Sequence, residues 1–115
     1  MKYIELFEKF NNKQLADIDD ILLELKDDGF NIEIKRDYKD SLHINLSREG
    51  DDVVSLGYFK FSRIEDVVKR LIDYLNQYKF SFIAYDLNVN LVKKSIDEIS
   101  SEDYLVYFQL FFTKD

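Results

Sequence analysis

The chain has 115 residues, 23 acids against 16 bases, a formal net charge of −7, and no cysteine, proline or tryptophan. That length makes one domain, residues 1–115, able to bury roughly two thirds of its unfolded surface without a covalent staple. The lack of cysteine excludes disulfides, thiolate nucleophiles and cysteine-ligated metal centres, and the acidic excess opposes the phosphate contacts on which nucleic-acid binding mostly rests.

Tyr3, Leu6, Phe7 and Phe10 follow helical spacing and Asn11 and Asn12 break it, so a short amphipathic helix is expected over residues 2–10. Charges interrupt its apolar residues, which makes it neither a signal peptide nor a membrane span. Leu15, Ile18, Ile21, Leu22 and Leu25 mark a second helix, whose early acids Asp17, Asp19 and Asp20 suit the positive end of the helix dipole. Gly29 is expected to take the left-handed conformation that ends it, with Phe30 closing back on Leu25 in a Schellman motif. Asp27 and Asp28 then stand at the negative end of the dipole, where solvation would make them tolerable.

Phe30, Ile32 and Ile34 alternate with polar residues, as do Leu42, Ile44 and Leu46, and the short polar connection between them predicts an antiparallel hairpin. Gly50 centres a second turn, leading to a third strand over residues 53–61, where a β-bulge at Gly57 would reconcile the opposite parities of Val54 and Leu56 against Phe59 and Phe61. Residues 62–78 carry the clearest periodicity. Ile64, Val67, Val68, Leu71, Ile72, Leu75 and Tyr78 make one stripe to be buried. Ser62 and Glu65 have the spacing of a capping box, and Glu65 with Lys69 and Asp66 with Arg70 form i, i+4 pairs worth roughly 0.2–0.5 kcal/mol each.

A fourth strand is expected over residues 80–91, with Ile83, Tyr85, Leu87, Val89 and Leu91 facing one way and Ala84, Asp86, Asn88 and Asn90 the other. Ser95 and Glu98 repeat the capping-box spacing and predict a helical turn. Residues 104–112, YLVYFQLFF, read as a strand covered on both faces or one that exposes a sticky face. The order α-α-β-β-β-α-β-(short α)-β predicts an α+β domain, a mainly antiparallel sheet of about five strands with helices packed on one face. The other face would carry Glu33, Lys35, His43, Asn45, Ser47, Asp86, Asn88 and Asn90. The last strand would add either Leu105, Tyr107 and Phe111 or Tyr104, Val106, Phe108, Leu110 and Phe112. Such a patch needs a cover, either the N-terminal helix or another chain.

No motif for catalysis or cofactor binding stands out. Asp86, Asn88 and Asn90 open like a calcium loop with Asp97 at its twelfth position, but Leu91 stands where the turn needs glycine, and a wet strand face explains the alternation better. His43 is the single histidine, on an outward strand position. With glycine only at 29, 50 and 57, there is no phosphate-binding glycine loop.

LKDDGF ahead of a strand and FKFSRIEDVVKRLIDYL at the central helix resemble small uncharacterised accessory proteins of tailed phages, particularly those of T4-like type, over residues 22–78. The resemblance implies a non-enzymatic protein made during infection that acts on a host or phage protein. It assigns no site residues.

The leading expectation is an acidic, cytoplasmic protein-interaction module with no enzymatic activity, cofactor or membrane association; if phage-encoded, it would work in the host cytoplasm. Two surfaces carry it. The acidic ridge Asp17, Asp20, Glu24, Asp27 and Asp28 would enter a basic nucleic-acid channel by charge mimicry, and the last strand, with Leu105, Tyr107 and Phe111, would pair across a dimer axis. One alternative is a carboxylate-metal hydrolase with several acids converging on a divalent cation. Another is a nucleic-acid binder using Lys35, Arg36, Lys39 and Arg48, a reading that the global charge opposes.

Overall fold

The computed structural model describes residues 12–37, 41–48 and 57–113. The helix expected over residues 2–10, Lys39 and the turn at Gly50 lie outside the described residues. Helix α1 (Asn12–Asp27) is followed by strands β1 (Asn31–Asp37), β2 (Ser41–Ser47) and β3 (Phe59–Lys60). A 3₁₀ turn (Phe61–Arg63), helix α2 (Glu65–Tyr74), strand β4 (Lys79–Asp86), a second 3₁₀ turn (Ile96–Glu98) and strand β5 (Tyr104–Thr113) complete the order. This is the expected α+β domain.

Every strand pairing is antiparallel, and β5 is the hub of the sheet. β4 lines one of its edges from Lys79 opposite Thr113 to Asp86 opposite Leu105. β2 and β3 share the other edge end to end, β2 against Phe108 to Thr113 and β3 against Tyr104 and Leu105. The β1–β2 hairpin then extends the sheet outward, with Ile32 opposite Leu46 and Ile34 opposite Ile44. The apolar residues Phe108, Leu110 and Phe112 are what a central strand with a covered face requires, because on that face they meet the helices and the apolar residues of both neighbouring strands.

One face of the sheet packs against the helices. Leu42, Ile44 and Leu46 of β2 and Phe108, Leu110 and Phe112 of β5 meet Ile18, Leu22 and Leu25 of α1 and Val67, Val68 and Leu71 of α2 in a single core. Both helices bury the stripe expected from their 3.6-residue spacing, and Glu65–Lys69 and Asp66–Arg70 pair on the outer face of α2 at 3.0 and 3.1 Å. The end of α1 follows local rules closely. Gly29 sits at φ 90°, the Phe30 amide donates to the Leu25 carbonyl at 3.0 Å, and the Gly29 amide donates to the Lys26 carbonyl at 3.1 Å, the two bonds of a Schellman motif.

Four local expectations are corrected. Helix α1 begins at Asn12, so its first turn holds no acid and Asp17, Asp19 and Asp20 fall beyond the reach of the dipole's positive end. No capping box forms at Ser62: residues 61–63 make a 3₁₀ turn, and the Ser62 amide donates to the Ser101 carbonyl at 3.0 Å. Glu65 instead accepts from the Ser101 hydroxyl at 2.6 Å. The box at Ser95 does form, with the Ser95 amide donating to Glu98 Oε1 at 2.8 Å over one 3₁₀ turn.

The other two corrections concern strands. β4 stops at Asp86, whose Oδ1 accepts from the amides of Asn88 and Asn90, both at 2.9 Å, while Val89 takes a positive φ of 61°. The chain folds back so that Leu91 bridges Tyr85. Asp86, Asn88 and Asn90 thus form a carboxylate-centred turn, neither the wet side of a strand nor a calcium loop. Residues 53–56 of the expected third strand lie outside the described residues; its described part is limited to Phe59 and Lys60, and the Gly57 amide, in place of a bulge, donates to the Arg48 carbonyl at 2.8 Å.

Candidate functional site

The face of the sheet turned away from the helices is set by the register. Ser81, Ile83 and Tyr85 of β4 lie beside Phe111, Gln109 and Tyr107 of β5, which lie beside His43 and Asn45 of β2, with Lys35 and Glu33 of β1 beyond them. All six residues from β4 and β5 except Ser81 are half-buried. The side chains make an uncharged aromatic band. Tyr85 and Tyr107 have ring centroids 6.0 Å apart, and His43 meets Phe111 edge to face at 4.8 Å. Burial is the first cause, and the Glu33 charge the second, that pushes the Tyr107 phenol above its ordinary value. Asn45 donates to Glu33 at 3.1 Å, and its own Oδ1 is buried with no hydrogen-bond partner among the described residues.

Ile83 and Tyr85 were expected on the side opposite Ala84, and so they are, but Ala84 is the one in the core. Phe80, Phe82 and Ala84 share the parity of Phe112, Leu110 and Phe108 and pack with them. The alternation in residues 80–85 therefore has the expected period and the opposite sign, which adds Ile83 and Tyr85 to the open face, while the turn after β4 removes Asp86, Asn88 and Asn90 from it. The signal was present in Phe80 and Phe82, two large apolar residues ahead of Ala84 on the same parity.

Tyr107 and Phe111 take the open-face positions expected for a contact surface. Leu105 does not. It is 1 % exposed and lies in the core, because Tyr85 pairs with Tyr107 while Asp86 pairs with Leu105, leaving Val106 as an extra residue that reverses the phase of the strand. Pairing of this strand across a dimer axis is also ruled out by its position, since both edges of β5 are taken within the chain. Any contact must use its face.

The acidic ridge is largely neutralised by neighbours. Asp17 accepts from Lys13 at 3.1 Å and from the Tyr74 hydroxyl at 2.5 Å. The Tyr74 bond comes first and Lys13 second in holding the Asp17 carboxyl below its ordinary value, and the same bond is the main reason Tyr74 is pushed up to about 12. Glu24 pairs with Arg70 of α2. Asp28 is gripped from two sides: Arg63 donates through Nη2 at 2.6 Å and Nε at 3.2 Å, and Arg48 lies at 3.5 Å from the carboxylate while donating to the Asp28 carbonyl at 2.9 Å. Two guanidiniums, rather than solvation, explain an acid at the C-terminus of α1. Asp20 and Asp27 remain exposed on the helix.

The four cations expected to form a basic patch are dispersed. By register Lys35 lies on the open face and Arg36 on the helix side, and Arg48 is at the far end of the domain against Asp28. A different cluster appears where Arg48, Lys60 and Arg63 line an open cleft of about 420 Å³ with Tyr58, Phe59 and Tyr104. A second cleft, of about 300 Å³, runs beside the Asp86 turn and holds the Lys94–Asp103 pair at 3.4 Å. No group of three or more His, Cys, Asp or Glu side chains able to hold a metal ion occurs among the described residues, and no described helix is long and apolar enough to cross a membrane.

Comparison of the chain with family models, with curated proteins and with solved structures returned no match.

Proposed function

We propose that this protein is a non-enzymatic interaction module whose contact surface is the open face of the sheet and whose occupant is a second copy of the same chain. The observation that supports this most is the uncharged band of Ile83, Tyr85, Tyr107 and Phe111 on a chain carrying a net charge of −7. Two acidic molecules repel each other over most of their surfaces, and approach is least opposed where charge is absent. The centre of the band suits a two-fold contact. Asn45 and Gln109 lie side by side, and the Gln109 amide carries both donors and acceptors that a two-fold partner can meet. Glu33 and Lys35, which pair with each other at 3.7 Å on the same strand, leave the rim beside the band without net charge.

Sedimentation equilibrium at low and high salt tests the reading. A dimer is expected that persists or tightens as salt rises, because apolar burial is unscreened while the mutual repulsion of the two copies is screened. Tyr107→Asp and Phe111→Asp, placed on the band, are expected to give monomers with an unchanged circular dichroism spectrum. A wild-type monomer at every salt and protein concentration overturns self-association, and a dimer that the two substitutions leave intact overturns the assignment of the face.

A further inference from the structure

The open cleft at the β3 end of the sheet points to an anionic ligand, although the protein as a whole is itself acidic. Among the described residues, each charged side chain lining it is a cation, Arg48, Lys60 and Arg63, although acids outnumber bases by 23 to 16 in the chain. Beside them stand two tyrosines that folding leaves outside the core. Tyr58 is 60 % and Tyr104 40 % exposed, and their rings meet edge to face with centroids 5.6 Å apart. Phe59, which is buried, closes the cleft from below and meets Phe30 edge to face at 5.0 Å.

The cations are fixed in place before any ligand arrives. Arg48 lies over the Phe30 ring at 4.8 Å, and Asp28 holds it together with Arg63. Lys60 is tied to Glu102 at 2.9 Å and stands 5.7 Å from the centroid of the Tyr104 ring. The bonds to Asp28 use Nε and Nη2 of Arg63 and Nη1 of Arg48, so each planar guanidinium, with five N–H donors, retains donors beyond those bonds. Preorganised cations bind an anion at lower entropic cost than flexible ones.

We infer that this cleft binds a nucleotide unit, its base stacking on Tyr58 or Tyr104 and its phosphate meeting Arg48, Lys60 and Arg63. Exposed aromatic faces beside cations are the combination by which single nucleotides and unpaired bases are held, because every base offers a π face and every nucleotide an anion. The size suits one unit, since small-ligand sites occupy roughly 300–1,000 Å³. The surrounding charge limits the contact to that unit. Asp28 and Glu102 flank the cations, so a long polyanion gains few phosphate contacts here and the salt dependence is shallow. Two exposed tyrosine rings offer the flat stacking faces that a base uses, which favours a nucleotide over a phosphotyrosine peptide.

The test is titration of the ¹⁵N-labelled protein with thymidine 5′-monophosphate, followed at the backbone amides of Tyr58, Lys60, Arg63 and Tyr104. Saturable shifts in the low millimolar range or below are expected at those amides and not on the open face of the sheet. Tyr58→Ala, at an exposed position, is expected to weaken binding about tenfold, the loss of one stacking contact. Lys60→Ala is expected to weaken it several-fold and flatten the salt dependence by about one phosphate contact. A short oligothymidylate binding more tightly than the mononucleotide identifies a single strand as the source; equal affinity identifies the free nucleotide; either supports the cleft. No saturable shift with either probe overturns the inference, as does inorganic phosphate binding as tightly as the mononucleotide, or a phosphotyrosine peptide binding more tightly.

Discussion

The two faces of β5 are built from similar residues and have different fates. Phe108, Leu110 and Phe112 are 0 % exposed beneath the helices, whereas Tyr107, Gln109 and Phe111, interleaved with them along one strand, stay half-buried on a face that no described element covers. Hydrophobicity alone does not separate these sets. Neighbours do: the helix side gains α1 and α2, while the open side has only the adjacent strands, so one set carries stability and the other is left for recognition.

The strongest way to break this comparison is to truncate on each side of the strand. Phe108→Ala, which removes a ring stacked on Phe82 at 5.3 Å, is expected to destabilise by about 3–5 kcal/mol, read as a shift of the urea midpoint. The next effect concerns the helix that covers the buried set. Gly29→Ala is expected to cost about 1–2 kcal/mol in the same assay, because an alanine at φ 90° is strained although its Cβ meets nothing closer than Arg48 Nη2 at 3.5 Å. Phe111→Ala, on the open side, is expected to change stability by less than about 1 kcal/mol, the scale of one cross-strand pair, while weakening the dimer measured by sedimentation. Equal destabilisation by Phe108→Ala and Phe111→Ala would remove the distinction between the faces.

The smallest expected effect sharpens the picture at the seam between the helices. The Asp17 carboxyl, lowered chiefly by Tyr74, contributes stability that is present above its ordinary value of 3.8 and is lost as pH falls through the lowered one. Tyr74, raised to about 12 from 10.0, contributes stability that is present below 10 and is lost as pH climbs toward 12. Urea midpoints should therefore be level through neutral pH and decline at both ends. Tyr74→Phe should weaken the alkaline decline, which Tyr107, raised first by burial, and Lys60, raised first by its bond to Glu102, continue to supply, and weaken the acid one, which Glu65, lowered first by the Ser101 hydroxyl, and Glu98, lowered first by the Ser95 amide, continue to supply. An unchanged alkaline limb in that variant would dissociate the pair from stability.

Features governed by a few consecutive residues were legible in the sequence: the Schellman bonds at Gly29, the i, i+4 pairs on α2, and the pairing of β1 with β2. Features decided by distant residues were not. Ser62 has the spacing of a cap, but the loop at Ser101 already satisfies its amide, and Glu65 follows the loop. In β4 both parities carry apolar residues, so the period was readable and the inward side was not, since that depends on which set meets Leu110. The cleft joins Arg48, Tyr58, Lys60 and Arg63 from the middle of the chain to Tyr104 near its end, and no spacing in one dimension announces it.

Placing the last strand at the hub has a consequence for synthesis. β2, β3 and β4 all take a partner from residues 104–113, so a ribosome can release a finished hairpin and both described helices while the slot that joins them stays empty. The sheet closes only after translation has passed residue 113, by contacts between distant parts of the chain, the kind that form slowly. A nascent chain halted before residue 104 therefore shows the apolar margins of β2 and β4 to solvent without their common partner, and premature termination there yields a sticky fragment instead of a smaller working protein.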